Sequence, residues 1–232
     1  MSSLPGMATT GSDPERNAKR AARRAALAGL ARSVRALIDA TVNTDLEPGQ
    51  IERITSEIDE ATSQLNARRH AGKYSGLLGR GPFDHTKPVT TVPLSPWAGP
   101  FNPIAPPIEV QVEKGEVYGR VRLGKAYIGP PDAAHGGVVA GIMDQLLASC
   151  GQSAGVAGLT AHMTVRFRKP TPLFTELTLH AWADPRSGAS QRRRVHAEIK
   201  AGDTLTAEGE ALVIRPRSFG SSKAADPGSR SS

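Results

Sequence analysis

Residues 135–150 read HGGVVAGIMDQLLASC. Past the two glycines the run is apolar nearly all the way round a helical wheel, with Asp144 set inside it. A helix of that kind belongs in an interior rather than half on a surface. A carboxylate there is costly unless it is paired or hydrogen-bonded, so Asp144 is predicted to be buried and to have a partner. Gly136 and Gly137 fall where the helix should begin. A helix start carries unpaired N–H groups and partial positive charge, which polarise carbonyls and bind anions. An acid and an oxyanion site on one helix point to acyl chemistry. The plainer reading is a helix-initiating turn whose glycines only serve the backbone.

Spacing constrains the functional reading. Asp144 follows Gly137 by seven residues, about 10 Å along a helix axis at ~1.5 Å per residue. A base and an oxyanion donor must both lie within ~3 Å of the reacting group. Gly137 and Asp144 of one chain therefore cannot serve one carbonyl. Two copies about a two-fold axis can, with Gly137 of one facing Asp144 of the other, so an enzyme built this way is a homodimer with interfacial sites.

Around this helix the hydrophobic period is two. Residues 108–114 and 117–123 alternate about a Gly115–Glu116 turn, which predicts a hairpin. After the helix come predicted strands at 161–169, 173–183, 191–200 and 204–214. Met163, Val165 and Phe167 share one face of the first of these, with His162, Thr164, Arg166 and Arg168 on the other. One antiparallel sheet curved around one long helix, an α+β architecture, satisfies this order. Thr160 opens the first of these strands. Its hydroxyl can orient water or bond the carboxylate, or it is an ordinary strand-start threonine.

Upstream, residues 15–42 and 50–68 read as helices joined by a turn at 43–49. Leu27, Leu30, Val34, Leu37 and Ile38 form one apolar face, and Ile51, Ile54, Ile58, Ala61 and Leu65 the other. An αα-hairpin of this kind must pack on something. The expected organisation is a disordered segment at 1–14, the helical hairpin at 15–71, a linker at 72–94, the sheet-and-helix domain at 95–217 and a disordered tail at 218–232. In the proline-rich stretch at 72–107, Trp97 and Phe101 are the residues able to pin it to a neighbouring surface.

The formal charge of +7 is clustered: Arg16 to Arg35, then Arg166, Arg168 and Lys169, then Arg192 to Arg194. Such clusters favour phosphate-bearing partners, or are simply a solvated basic surface. No run reaches the ~18 uncharged apolar residues of a membrane span, and the N-terminus lacks an apolar signal region. The expectation is a soluble cytoplasmic protein that meets no membrane. The single cysteine, Cys150, forms no intrachain disulfide or cysteine metal cluster and reads as core. His162, His180 and His196 lack metal-ligand spacing and read as surface or packing residues. The segment GRVRLGK at 119–125 imitates a phosphate-binding loop, but Ala126 stands where Ser or Thr should hold magnesium, and the segment reads as strand.

GPPDAAHGGVVAGIMDQLLA followed by LTAHMTVRFRKPTPL resembles the hotdog-fold acyl-CoA thioesterases. The resemblance is strongest to the phenylacetate-pathway (PaaI-type) branch and the related animal thioesterase-superfamily enzymes, over about residues 95–215. It implies a sheet wrapped around the long helix, paired protomers, and hydrolysis of an acyl-CoA to free acid and coenzyme A. It assigns the Gly137 N–H to the thioester oxyanion, Asp144 to activating water or attacking directly, Thr160 to assisting it, and His135 to a positioning role. Coenzyme A is then part of the substrate, and no separate cofactor or metal is implied. Gly136, Arg166, Arg168, Lys169 and Arg193 are the candidate coenzyme A contacts, the basic ones on charge alone. Pairing of dimers into a homotetramer is left open, as are the acyl chain and the role of the N-terminal helices.

The competing reading is an acyl-CoA-binding hotdog transcriptional regulator with an N-terminal DNA-binding element, prompted by the basic first helix. Asp144 has no purpose in a pure sensor, and the hairpin lacks a third helix with a polar recognition face, so a nucleic-acid partner is not expected. A hydratase needs an Asp/His dyad, and the spacing of His135 and Asp144 does not supply the usual one.

Overall fold

A computed structural model of the chain describes residues 14–69, 92–156, 158–185 and 191–215. The segments expected to be disordered at the two ends, apart from Pro14, and most of the predicted linker lie outside the described residues. Two helices come first, α1 (Pro14–Asn43) and α2 (Pro48–Asn66). The hairpin β1 (Glu109–Glu113) and β2 (Glu116–Arg122) follows, then the long helix α3 (Gly136–Ser153). The chain continues as β3 (Leu159–Phe167), β4 (Glu176–Ala183), β5 (Arg192–Ala201) and β6 (Thr204–Ile214).

The strands form one six-stranded sheet in the order β1-β2-β4-β5-β6-β3, each neighbouring pair antiparallel. Alternation decides which face meets α3. Leu177, Leu179 and Ala181 of β4, Val195, Ala197 and Ile199 of β5, and Ala207, Ala211 and Val213 of β6 are buried with Val139, Ile142, Met143, Leu146, Leu147 and Cys150 of the helix. The opposite face carries Tyr118, His180, Trp182 and His196 in a continuous ring stack, with His180 Nε2 at 2.7 Å from Glu116 Oε2. These histidines pack on the outside of the sheet.

Elements and boundaries follow the periodicities closely, with three differences. The strand predicted at 173–183 begins at Glu176, because Phe174 adopts φ +57°, a conformation that cannot continue a strand. The phosphate-loop imitation runs along β2 into a short 3₁₀ turn at Lys125–Tyr127, so no α-helix N-terminus follows its glycines directly. Finally, both N-terminal helices form but do not pack on each other as a hairpin. α1 instead docks on the sheet domain. Ala31 is buried, Arg35 donates from Nε to Ala105 O (2.6 Å) and from Nη2 to Asn102 O (3.0 Å), and Arg24 lies 5.1 Å from the centre of the Phe101 ring. α2 buries no residue.

The 92–107 segment is pinned as anticipated. Phe101 meets α1, and Trp97 lies against Gly141 of α3, where an added Cβ would sit 2.2 Å from the indole ring. Gly141→Ala is expected to destabilise the fold by about 1–3 kcal/mol, the usual cost of overpacking a filled interior. Denaturant melts of the variant against the parent chain measure it, and an unchanged midpoint would show that Trp97 moves aside freely.

Candidate active site

The start of α3 is held from two sides. His135 N–H donates to Tyr127 O (2.9 Å), and Ala134 N–H donates to Thr171 O (2.8 Å). His135 is the N-cap, and its Nδ1 accepts the Gly137 N–H at 3.0 Å. The exposed imidazole thus satisfies one of the orphan donors of the first turn. This is the N–H that the family resemblance assigns to an oxyanion, and here an internal acceptor occupies it.

Asp144 differs from its sequence expectation. It is half-buried rather than buried. The sheet wraps one side of α3, while Gly137, Ala140, Asp144 and Ala148 recur at three- and four-residue spacing along a side left open or half-open. Those residues other than the acid are small, so the apolar wheel disguised an uncovered face. The predicted partner is present: Thr160 Oγ1 donates to Asp144 Oδ1 at 2.9 Å, bringing the first residues of β3 onto the middle of α3. Beside it, Gln145 accepts from Ser95 Oγ (2.6 Å) and donates to Ser149 Oγ (3.2 Å).

A cleft of about 370 Å³ opens at the N-terminal end of α3, lined in part by Gly136, Val139, Phe167, Arg168, Lys169 and Thr171. Two basic residues are thereby brought to a helix N-terminus, a setting suited to an anion. Arg168 also pairs with Glu208, whose carboxyl is held below its ordinary range chiefly by that guanidinium. Arg166 points to the outer face of the sheet, 3.8 Å from Glu208. Arg193 reaches Ala154 O (3.4 Å) beyond the other end of α3. Three of the candidate coenzyme A contacts, Gly136, Arg168 and Lys169, therefore share one cleft; Arg166 meets Arg168 at Glu208 without lining that cleft, and Arg193 lies at the far end of α3.

Phe167 was missed as a site residue. Its alternation with Met163 and Val165 marks it as core, yet it is exposed at the end of β3 with its ring beside Gly136. Its position at the strand terminus, next to two basic residues and Pro170, was the available signal. Cys150 is buried, and burial pushes its thiol up to about 12, which removes it from nucleophilic chemistry.

Residues 132–203 match the thioesterase superfamily's family model. A thioesterase superfamily protein known from its crystal structure is 28% identical, covering 81% of this chain and 90% of that one at a TM-score of 0.69. The PaaI protein of E. coli, from the phenylacetic acid degradation operon, is 20% identical over 47% of this chain and 79% of its own, at a TM-score of 0.43. Zebrafish thioesterase superfamily member 2 is 16% identical, with coverages of 47% and 81% and a TM-score of 0.43. The sheet wrapped on α3 is the hotdog fold. The first of these matches covers more of the chain than everything after α2 can supply, so it takes in part of the N-terminal helices as well.

Proposed function

We propose that this chain, whose residues 132–203 match the thioesterase superfamily's family model, hydrolyses an acyl-CoA to the free acid and coenzyme A, with the site completed across a homodimer. The observation that carries the proposal is the Thr160–Asp144 hydrogen bond on the open side of α3, two helical turns from the Gly137 N–H. In the proposed step Asp144 takes a proton from water as the water oxygen bonds to the thioester carbon. The carbonyl electrons move to oxygen, which displaces His135 Nδ1 as acceptor of the partner protomer's Gly137 N–H. Collapse of the tetrahedral intermediate breaks the carbon–sulfur bond, and the proton that Asp144 took from water passes to the leaving sulfur, so that coenzyme A departs as the thiol and the carboxylate is restored. Thr160 keeps one carboxylate oxygen occupied, so the other faces the water. The cleft holding Arg168 and Lys169 is where the phosphates of coenzyme A would be neutralised.

Support for the dimer comes from the sheet edge as well as from spacing. β3 ends the sheet, and its Met163 and Val165 are only half-buried. An uncovered nine-residue edge strand is a ready template for pairing with a second copy.

The regulator reading gains nothing from the structure. α1 spends Arg24 and Arg35 on the sheet domain, and α1 and α2 are not packed as a helix–turn–helix. Among the described residues no helix is long and apolar enough to cross a membrane.

Release of free thiol from a panel of acyl-CoA esters tests the activity, and no release from any member would defeat it. Thr160→Ala is expected to lower kcat about tenfold or more, since a hydrogen bond to a charged group is worth ~1.5–3 kcal/mol. Thr160→Ser should restore most of the loss. Equal rates in all three proteins would show that the hydroxyl does not position the acid.

A further inference from the structure

α2 is nineteen residues long and buries none of them. Its apolar residues keep a strict order: Ile51, Ile58 and Leu65 recur every seven residues, with Ile54 and Ala61 between them. Ile51, Ile58 and Leu65 are 42%, 36% and 57% exposed. This is the a/d pattern of a two-helix seam, and helices in proteins owe most of their stability to packing such a face. α1 carries a matching seam that the sheet domain leaves partly uncovered. Leu27, Leu30, Val34, Leu37 and Thr41 repeat the same spacing over the same length of fifteen residues, and Leu30 and Leu37 are 41% and 36% exposed.

The two helices also differ in charge. α1 has seven basic residues against two acidic, and α2 has four acidic against one basic. The row through Leu30 and Leu37 continues at the same spacing through Arg23 and Arg16. Beside the α2 seam stand Glu52, Glu57 and Asp59. Four residues, 44–47, separate the helices, and α2 does not pack on α1 of its own chain.

We infer that α2 of one copy packs its isoleucine seam on the Leu30–Leu37 seam of α1 in a second copy, so that the N-terminal arms are exchanged. The pairing is self-complementary. A two-fold axis that seats α2 on the partner's α1 seats the partner's α2 in return, and both seams are buried twice in a closed dimer. Pairing α2 with α2 would instead oppose two acidic helices, which like-charge repulsion disfavours. The inference does not rest on hydrolysis, and its test uses no substrate.

Two full-length variants, Ile58→Cys and Leu30→Cys, are co-expressed with different affinity tags, purified through both tags and treated with a short bis-maleimide. Burial of Cys150 keeps the native thiol out of the reaction. The expected result is a covalent heterodimer, with no cross-linked product from either variant alone. Cross-linking of Ile58→Cys to itself would overturn the α1 assignment. So would a Leu30→Cys/Ile58→Cys chain that closes only on itself, because α2 would then fold back in its own protomer. Hydrogen exchange supplies the second measurement. Amides of 50–66 should be protected in the parent chain and lose that protection about tenfold or more in Leu30→Asp/Leu37→Asp, whose changes lie outside α2. Free exchange of α2 in the parent, or protection unmoved by the α1 changes, overturns the exchange of arms.

Discussion

Replacing Asp144 by Asn is expected to lower kcat for thioester hydrolysis by ~10²–10⁴-fold, the usual contribution of a positioned general base. Little else should change. The asparagine side chain keeps an oxygen to accept from Thr160 Oγ1, and the position is half-buried on the open side of α3. Folding and association should therefore survive, and KM should stay close to the parent value. Steady-state kinetics on one acyl-CoA, with circular dichroism and light scattering as controls, decide the matter. Parent-like turnover in a folded Asp144→Asn protein would remove the carboxylate from the mechanism. A fall in kcat accompanied by dissociation would instead make Asp144 an interface residue.

A complementation experiment carries an equally large effect and tests where the site lies. Gly137→Pro deletes the N–H proposed to receive the oxyanion. Proline breaks no intrahelical bond there, because this first-turn N–H has no carbonyl four residues back, but its ring must push aside the exposed His135 imidazole that now sits 3.0 Å from Gly137 N. Loss of one oxyanion donor typically costs ~10²–10³-fold in kcat. Gly137→Pro and Asp144→Asn should each be nearly inactive alone. Co-expressed, they should regain about a quarter of parent activity, because half the dimers are mixed and one of the two sites in each is intact. Sites complete within one chain would show no such recovery, since every protomer would still lack one group.

The outcome bears on His135. In the protomer it caps α3 and occupies the Gly137 N–H, so an incoming carbonyl oxygen must compete with an imidazole already in place. The proposed exchange of acceptors keeps this first-turn donor paired both before and after substrate binds.

Much of the fold was legible in the chain. A period of two on either side of a continuous apolar run requires a sheet around a helix, and every strand and helix falls within a few residues of its predicted place. That Asp144 needs a donor was legible too, with Thr160 at the start of the next strand as one candidate; the fold decided that its hydroxyl meets the acid. The sheet order was not legible, because strands of similar composition differ only in which neighbour the connections permit. Nor was the dispersal of the basic residues. Arg166 and Arg168 share an alternating face, yet Arg168 stands at the strand end, where the chain turns toward Gly136, while Arg166 stays on the outer sheet.

By itself, then, the sequence determined the layer architecture, the need of Asp144 for a hydrogen-bond donor, and the ~10 Å between Gly137 and Asp144, because periodicity and rise per residue are local properties of the backbone. Only the tertiary structure decided that one side of α3 stays open, that His135 holds the Gly137 N–H, and that α2 stands clear of α1. Those outcomes turn on which surfaces meet across the chain. A helical wheel shows which residues are apolar, and the rest of the molecule determines which of them are covered.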